Sequence, residues 1–96
     1  MIEFAWDPVK DLMNQRKHDV SFEEAQTVFL DEEALIEFDE AHSQDEDRFR
    51  LLGRSDRSNV LVVVHCIRDE SVIRIISART ASAAERKEYE RRAISW

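Results

Sequence analysis

VIRIISAR, residues 72–79, is the densest β-branched run near the C-terminus, and it stops on an arginine. Val72, Ile73, Ile75 and Ile76 favour a pleated, buried surface. Side chains alternate along a strand, so Ile73, Ile75, Ser77 and Arg79 are expected on one face and Val72, Arg74 and Ile76 on the other. A run this apolar reads as a central strand with both faces at least partly covered. Arg79 then stands where the strand meets the next element. A guanidinium held by a rigid strand end suits a phosphate or carboxylate. Taken on the strand alone, a plain ion pair with one of the chain's many acids is the more ordinary role for it.

The elements around this strand follow from local signals. Ile2 to Trp6 alternates loosely and reads as a first strand. Asp7-Pro8 combines an N-cap with a residue suited to the first helical position. Val9, Leu12, Met13 and Arg16 then recur at helical spacing, which predicts a helix to about His18. Asp19 follows, at a position that tends to the left-handed conformation. Ser21 and Glu24 form a capping box, and Val20 is placed to staple against Ala25. That second helix is expected to reach about Leu30. After the polar break at Asp31-Glu32-Glu33, Leu35–Asp39 reads as a strand, and Ala41–Asp47 as a polar loop.

Arg48–Arg54 is the next strand, followed by turn chemistry over Ser55–Asn59. Val60–Cys66 is the most continuous apolar strand. Asp69-Glu70-Ser71 turns the chain into Val72–Ala78. Ser82 and Glu85 form a second capping box, opening a charged helix to about Arg92, with Ala84, Tyr89 and Ala93 as its apolar members. The order β-α-α-β-β-β-β-α predicts an α+β fold, an antiparallel sheet with helices packed on one side. Short connections make neighbouring strands antiparallel.

Ninety-six residues with 43% hydrophobic and 36% charged side chains describe one domain over residues 1–96, with a single modest core. Neither a membrane-length apolar run nor a basic signal-peptide start is present, and the only cysteine is Cys66. These features point to a cytoplasmic protein with no membrane partner and no internal disulfide. A net charge of −7 argues against general nucleic-acid binding. The average hides a split: residues 1–47 carry three Lys/Arg against fifteen Asp/Glu, and residues 48–96 carry eleven against six. The acidic half either meets a basic partner or keeps the domain soluble.

Familiar catalytic signatures are missing. Gly53 is the only glycine, which excludes a Gly-rich phosphate loop and a nucleophile elbow. His18, His42 and His65 lack metal-ligand spacing with each other or with Cys66, so neither metal nor cofactor is expected. His42 reads as a surface residue and His65 as a core histidine. What remains is basic residues at element ends: Lys17, His18, Arg54 and Arg79. Such a set suits metal-free phosphoryl chemistry on RNA, whose 2′-hydroxyl is a built-in nucleophile. A His or Lys would move protons while arginines neutralise the phosphorus centre. Each of the four also has an ordinary structural role: helix-end charges for Lys17 and His18, a strand-edge arginine for Arg54.

FAWDPVK (4–10), KHDVSFEEAQTVF (17–29), LLGRS (51–55) and IRIISARTASAAERKEYE (73–90) together resemble the BrnT toxin family. The resemblance runs through nearly the whole chain in the same order. It implies the toxin half of a bacterial type II toxin–antitoxin pair, a RelE-like ribonuclease fold and no metal requirement. It implies an RNA substrate, a BrnA-like ribbon-helix-helix antitoxin, and operator DNA contacted only through that antitoxin. By position it implies Lys17, His18, Arg54 and Arg79 as working residues, with Glu85 and Tyr89 as weaker candidates and Trp6 and Asp7 as structural. Asp19 stands where the family pattern has glycine. An acid there competes with a phosphate for Lys17 and His18, which leaves open an alternative: a binding module acting through its antitoxin and operon alone.

Overall fold

The computed structural model describes residues 2–94, with side chains through residue 92. The chain runs β1 (Glu3–Ala5), α1 (Pro8–His18), α2 (Phe22–Thr27), β2 (Leu35–Phe38), β3 (Phe49–Arg54), β4 (Val60–Arg68), β5 (Val72–Thr80) and α3 (Ala83–Ile94). The expected α+β order holds. The second helix tightens into a 3-10 turn at Val28–Leu30, and Glu40–His42 makes another in the stretch read as loop. One five-stranded sheet has the order β1-β5-β4-β3-β2. The four strands joined by turns pair antiparallel, while β1 lies parallel to β5. Parallel pairing fits β1 because the rest of the sheet separates it from β5 in sequence.

The helix starts follow their caps. Asp7 accepts from the Val9 N–H at 2.8 Å, and Ser21 Oγ accepts from the Glu24 N–H at 3.0 Å. The second half of the Ser21 box is not made. The Glu24 carboxylate turns to Ser55 and Asn59 instead, and Asp11 Oδ1 accepts the Phe22 N–H at 2.9 Å. The Ser82–Glu85 box closes both ways: Ser82 N–H donates to Glu85 Oε1 at 2.8 Å and Glu85 N–H to Ser82 Oγ at 3.2 Å.

In β5 the register corrects the expected faces. Val64 pairs with Ser77, but His65 pairs with Ile75, so Ile76 is an extra residue, a β-bulge. A bulge inverts the alternation beyond it. Ile75 therefore faces the side of His65, while Ser77 and Arg79 face the opposite side with Val64 and Val62. The expectation that Ile73, Ile75, Ser77 and Arg79 share a face fails at this one residue.

On one face Leu51, Leu61, Val63, Ile75 and Ala78 pack with Val20, Phe22, Ala25 and Val28 as the core. Gly53 lies in this layer. A Cβ there would sit 2.8 Å from Val28 Cγ1 and 2.9 Å from Ala34 Cβ, so only glycine lets the 3-10 turn and the segment after it close onto β3. The opposite face carries Arg50, Leu52 and Arg54 from β3, Val60, Val62 and Val64 from β4, and Ser77 and Arg79 from β5. Through Glu85 and Tyr89, α3 reaches Arg79 and Arg54 on this second face. The side chain of Ala93, expected on its apolar stripe, lies outside the described residues.

Helix α1 packs against β5 through a polar residue. Asn14 is buried, whereas Val9, Leu12 and Met13 are exposed. Asn14 Nδ2 donates to Val20 O and Ala78 O, both at 2.8 Å, and Oδ1 accepts from the Ala78 N–H at 3.1 Å. β1 pairs with β5 only as far as Arg74, so the outer edge of β5 is open at Ala78 and one side-chain amide satisfies it. Among the described residues, no helix is long and apolar enough to cross a membrane.

Candidate active site

Leu52, Val62 and Arg79 lie directly opposite one another across β3, β4 and β5, and Arg54 lies two residues beyond Leu52. Arg54 and Arg79 therefore share a sheet face, two strands and one pleat apart, with Cα atoms about 12 Å from each other by standard strand spacing. Each guanidinium is engaged by α3. Arg79 Nη1 and Nη2 donate to Glu85 Oε1 and Oε2 at 2.7 and 2.9 Å, a bidentate pair. Arg54 stacks over the Tyr89 ring at 5.6 Å and donates to Ser58 O at 3.1 Å. Glu85 and Tyr89 are four residues apart, hence neighbours on one side of α3.

The pair lowers the pKa of Glu85. Its hydrogen bonds from Arg79 and the Ser82 N–H hold the carboxyl down from 4.5 to about 2, and the carboxylate raises Arg79 in turn. A carboxyl depressed on folding stabilises the fold above its unfolded pKa and loses that contribution as pH falls. The window here runs from about pH 4.5 down to about 2. Both partners are partly solvated, so the effect is modest. Acid denaturation of Glu85→Gln, followed by circular dichroism, is expected to show a shallower loss of stability across that window than the parent.

Arg54 is fixed from below by a residue that read only as part of a polar break. Where β3 ends, Asp31 Oδ2 accepts the Arg54 N–H at 2.8 Å, and it also accepts the Tyr89 hydroxyl at 2.7 Å. Burial pushes Asp31 up, but the Arg54 N–H, Tyr89 hydroxyl and Glu33 N–H together hold it below its ordinary value. Tyr89 is raised by burial and by Asp31. Glu24 holds the turn after Arg54, accepting Ser55 Oγ at 2.6 Å and Asn59 Nδ2 at 2.9 Å. Sequence reading gave Glu24 a local capping partner. The only signal pointing further was Ser and Asn in the facing turn.

Lys17 and His18 end α1 and line a groove of about 570 Å³ with Lys10, Met13, Arg16, Ile76 and Ser77. Ser77 is two residues from Arg79 on the same sheet face, so this groove borders the arginine side of the sheet. Arg54 and Tyr89 line a separate groove with Asp31 and Asp56. Neither of these two grooves is lined by both arginines together with Lys17 and His18. Asp19 adopts the left-handed conformation at φ 57°, its N–H donating to Gln15 O. That backbone explains why glycine suits the position. His65 is buried between Phe29 and Phe49, and burial lowers its pKa, as befits a neutral core histidine.

A family model described as the ribonuclease toxin BrnT of type II toxin–antitoxin systems matches residues 6–85. The chain belongs to the BrnT family. Its fold is similar to the 1.1 Å crystal structure of the BrnT ribonuclease toxin of Brucella abortus, with a TM-score of 0.66 and 20% identity over 85% of this chain and 99% of that one. No curated protein matches the chain. BrnT membership accounts for the Gly-Arg pair in physical terms: Gly53 admits the Asp31 segment, and Asp31 holds the arginine that follows.

Proposed function

We propose that the chain acts as one domain and is a metal-independent endoribonuclease toxin, neutralised by a BrnA-like ribbon-helix-helix antitoxin that also carries the pair to operator DNA. Arg54 and Arg79 bind the scissile phosphate. Lys17 or His18 takes the 2′-hydroxyl proton as that oxygen attacks phosphorus. The P–O5′ bond breaks, and a proton passes to the leaving 5′ oxygen. The observation that carries this reading is the shared sheet face of Arg54 and Arg79, each held by a strand and steadied from α3. Preorganised cations of this kind act where charge develops in the transition state.

A second reading has its own support. Arg79 is already paired with Glu85, and Asp19 follows Lys17 and His18 directly. Both favour a binding module that works through its antitoxin alone. Purified protein incubated with RNA in excess chelator separates the two. The ribonuclease reading expects cleavage, and cleavage about fivefold faster in Asp19→Gly, the size of one unscreened charge contact near 4 Å in water. Absence of cleavage by both proteins leaves the binding module.

A further inference from the structure

The charge imbalance of the sequence has a place in the fold. Residues 31–47 carry nine Asp/Glu and no Lys or Arg, a net −9 in a chain of −7, so the remainder is +2. This segment is β2 with the connections on either side of it, and β2 is the outermost strand of the sheet. Half of the backbone N–H and C=O groups of an edge strand face outward without a strand partner. Beside them, Ile36 and Phe38, which alternate onto one face, remain 63% and 45% exposed. Arg50 answers Glu37 and Asp39, and Arg68 answers Glu46. Among the described residues, Glu32, Glu40, Asp45 and Asp47 have no ion-pair partner.

Backbone groups awaiting a strand, apolar side chains left uncovered and surplus negative charge meet at one edge. The charge decides the occupant. A second copy pairing edge to edge would set acid against acid, and RNA would be repelled. We propose that the β2 edge docks a basic polypeptide segment in extended conformation, which adds to the sheet as a further strand. Its apolar side chains would cover Ile36 and Phe38, and its Lys/Arg would meet the acids of 31–47. Such strand addition draws affinity from the main chain and selectivity from alternate side chains. Naming that segment as part of an antitoxin rests on the proposed function above; the chemistry of the edge does not.

The test titrates the full chain with a short peptide of alternating lysine and valine, by calorimetry and by amide shifts in NMR spectra. The controls are the same peptide methylated on alternate backbone nitrogens and a glutamate–valine counterpart. Binding is expected with shifts centred on residues 35–38, weakened about tenfold or more by methylation, by Ile36→Thr and by Glu40→Lys, and absent for the acidic peptide. Equal binding of the methylated peptide, shifts confined elsewhere, no binding, or occupation of this edge by RNA or a second copy overturns the proposal. RNA cleavage is measured on the same samples. Lost cleavage with intact peptide binding counts against the ribonuclease alone, and lost peptide binding with intact cleavage counts against this inference alone.

Discussion

Arg79→Ala is expected to abolish growth arrest and RNA cleavage while the protein still folds. A preorganised donor to transition-state charge contributes about 3 kcal/mol, which is roughly a hundredfold in rate. The change also frees Glu85, which loses the partner that holds its carboxyl low but, with an ordinary value of 4.5, stays ionised at neutral pH. An unpaired carboxylate beside the phosphate site would repel the substrate further. The cost to stability is much smaller, because the pair is partly solvated and such pairs contribute at most about 1 kcal/mol. Large loss of activity with a small change in melting temperature is therefore the expected signature. Arg79→Lys discriminates further. It keeps the charge but loses the two-pronged contact, and it should recover only part of the rate. The double variant Arg79→Ala/Glu85→Ala removes the repulsion and should remain inactive. If Arg79→Ala arrests growth as well as the parent, the assignment of Arg79 to the phosphate is wrong.

Features encoded within four or five residues were legible in the sequence. Asp7-Pro8, Ser21 and the Ser82–Glu85 box mark helix starts with local chemistry, and each helix begins there. Turn residues between apolar runs gave the antiparallel strands and hence the α+β order. What failed depended on distant partners. Nothing in VIRIISAR marks Ile76 as the extra residue, because a bulge is set by pairing with β4. Without it Arg79 is expected on the face of Ile73 and Ile75. Glu24 had a local partner available in Ser21, yet Ser55 and Asn59 from the β3–β4 turn took its carboxylate. Asp31 looked like punctuation because its role, holding Arg54 and Tyr89, needs both a strand end and a helix far along the chain. The four candidate cations were legible as element ends. That Lys17 and His18 line one groove and Arg54 another was not, because it depends on how distant elements come together.

The largest loss of stability is expected from a residue whose type suggests little. On α1 the apolar residues Val9, Leu12 and Met13 point outward, and the helix is tied to the sheet by Asn14. Asn14→Ala deletes three hydrogen bonds and leaves the Ala78 N–H and two carbonyls without that partner. Each buried group left unsatisfied costs about 1–3 kcal/mol. Alanine returns about 0.5 kcal/mol through its better helix propensity. The net expectation is a loss of about 3 kcal/mol, a large part of the roughly 5–15 kcal/mol that holds a domain folded. In a domain of this size that lowers the melting temperature by about 15 °C. Leu12→Ala on the same helix, an exposed site, should cost about 0.5 kcal/mol or less. The inversion, with an amide outweighing a leucine, follows from where β1 stops: past Arg74 the edge of β5 has no strand beside it. A melting temperature for Asn14→Ala within two or so degrees of the parent would mean that water satisfies Ala78 as well as the amide does, and that α1 is held by something else. If the loss is as large as expected, Lys17 and His18 are positioned by Asn14 too, because they close the helix it anchors.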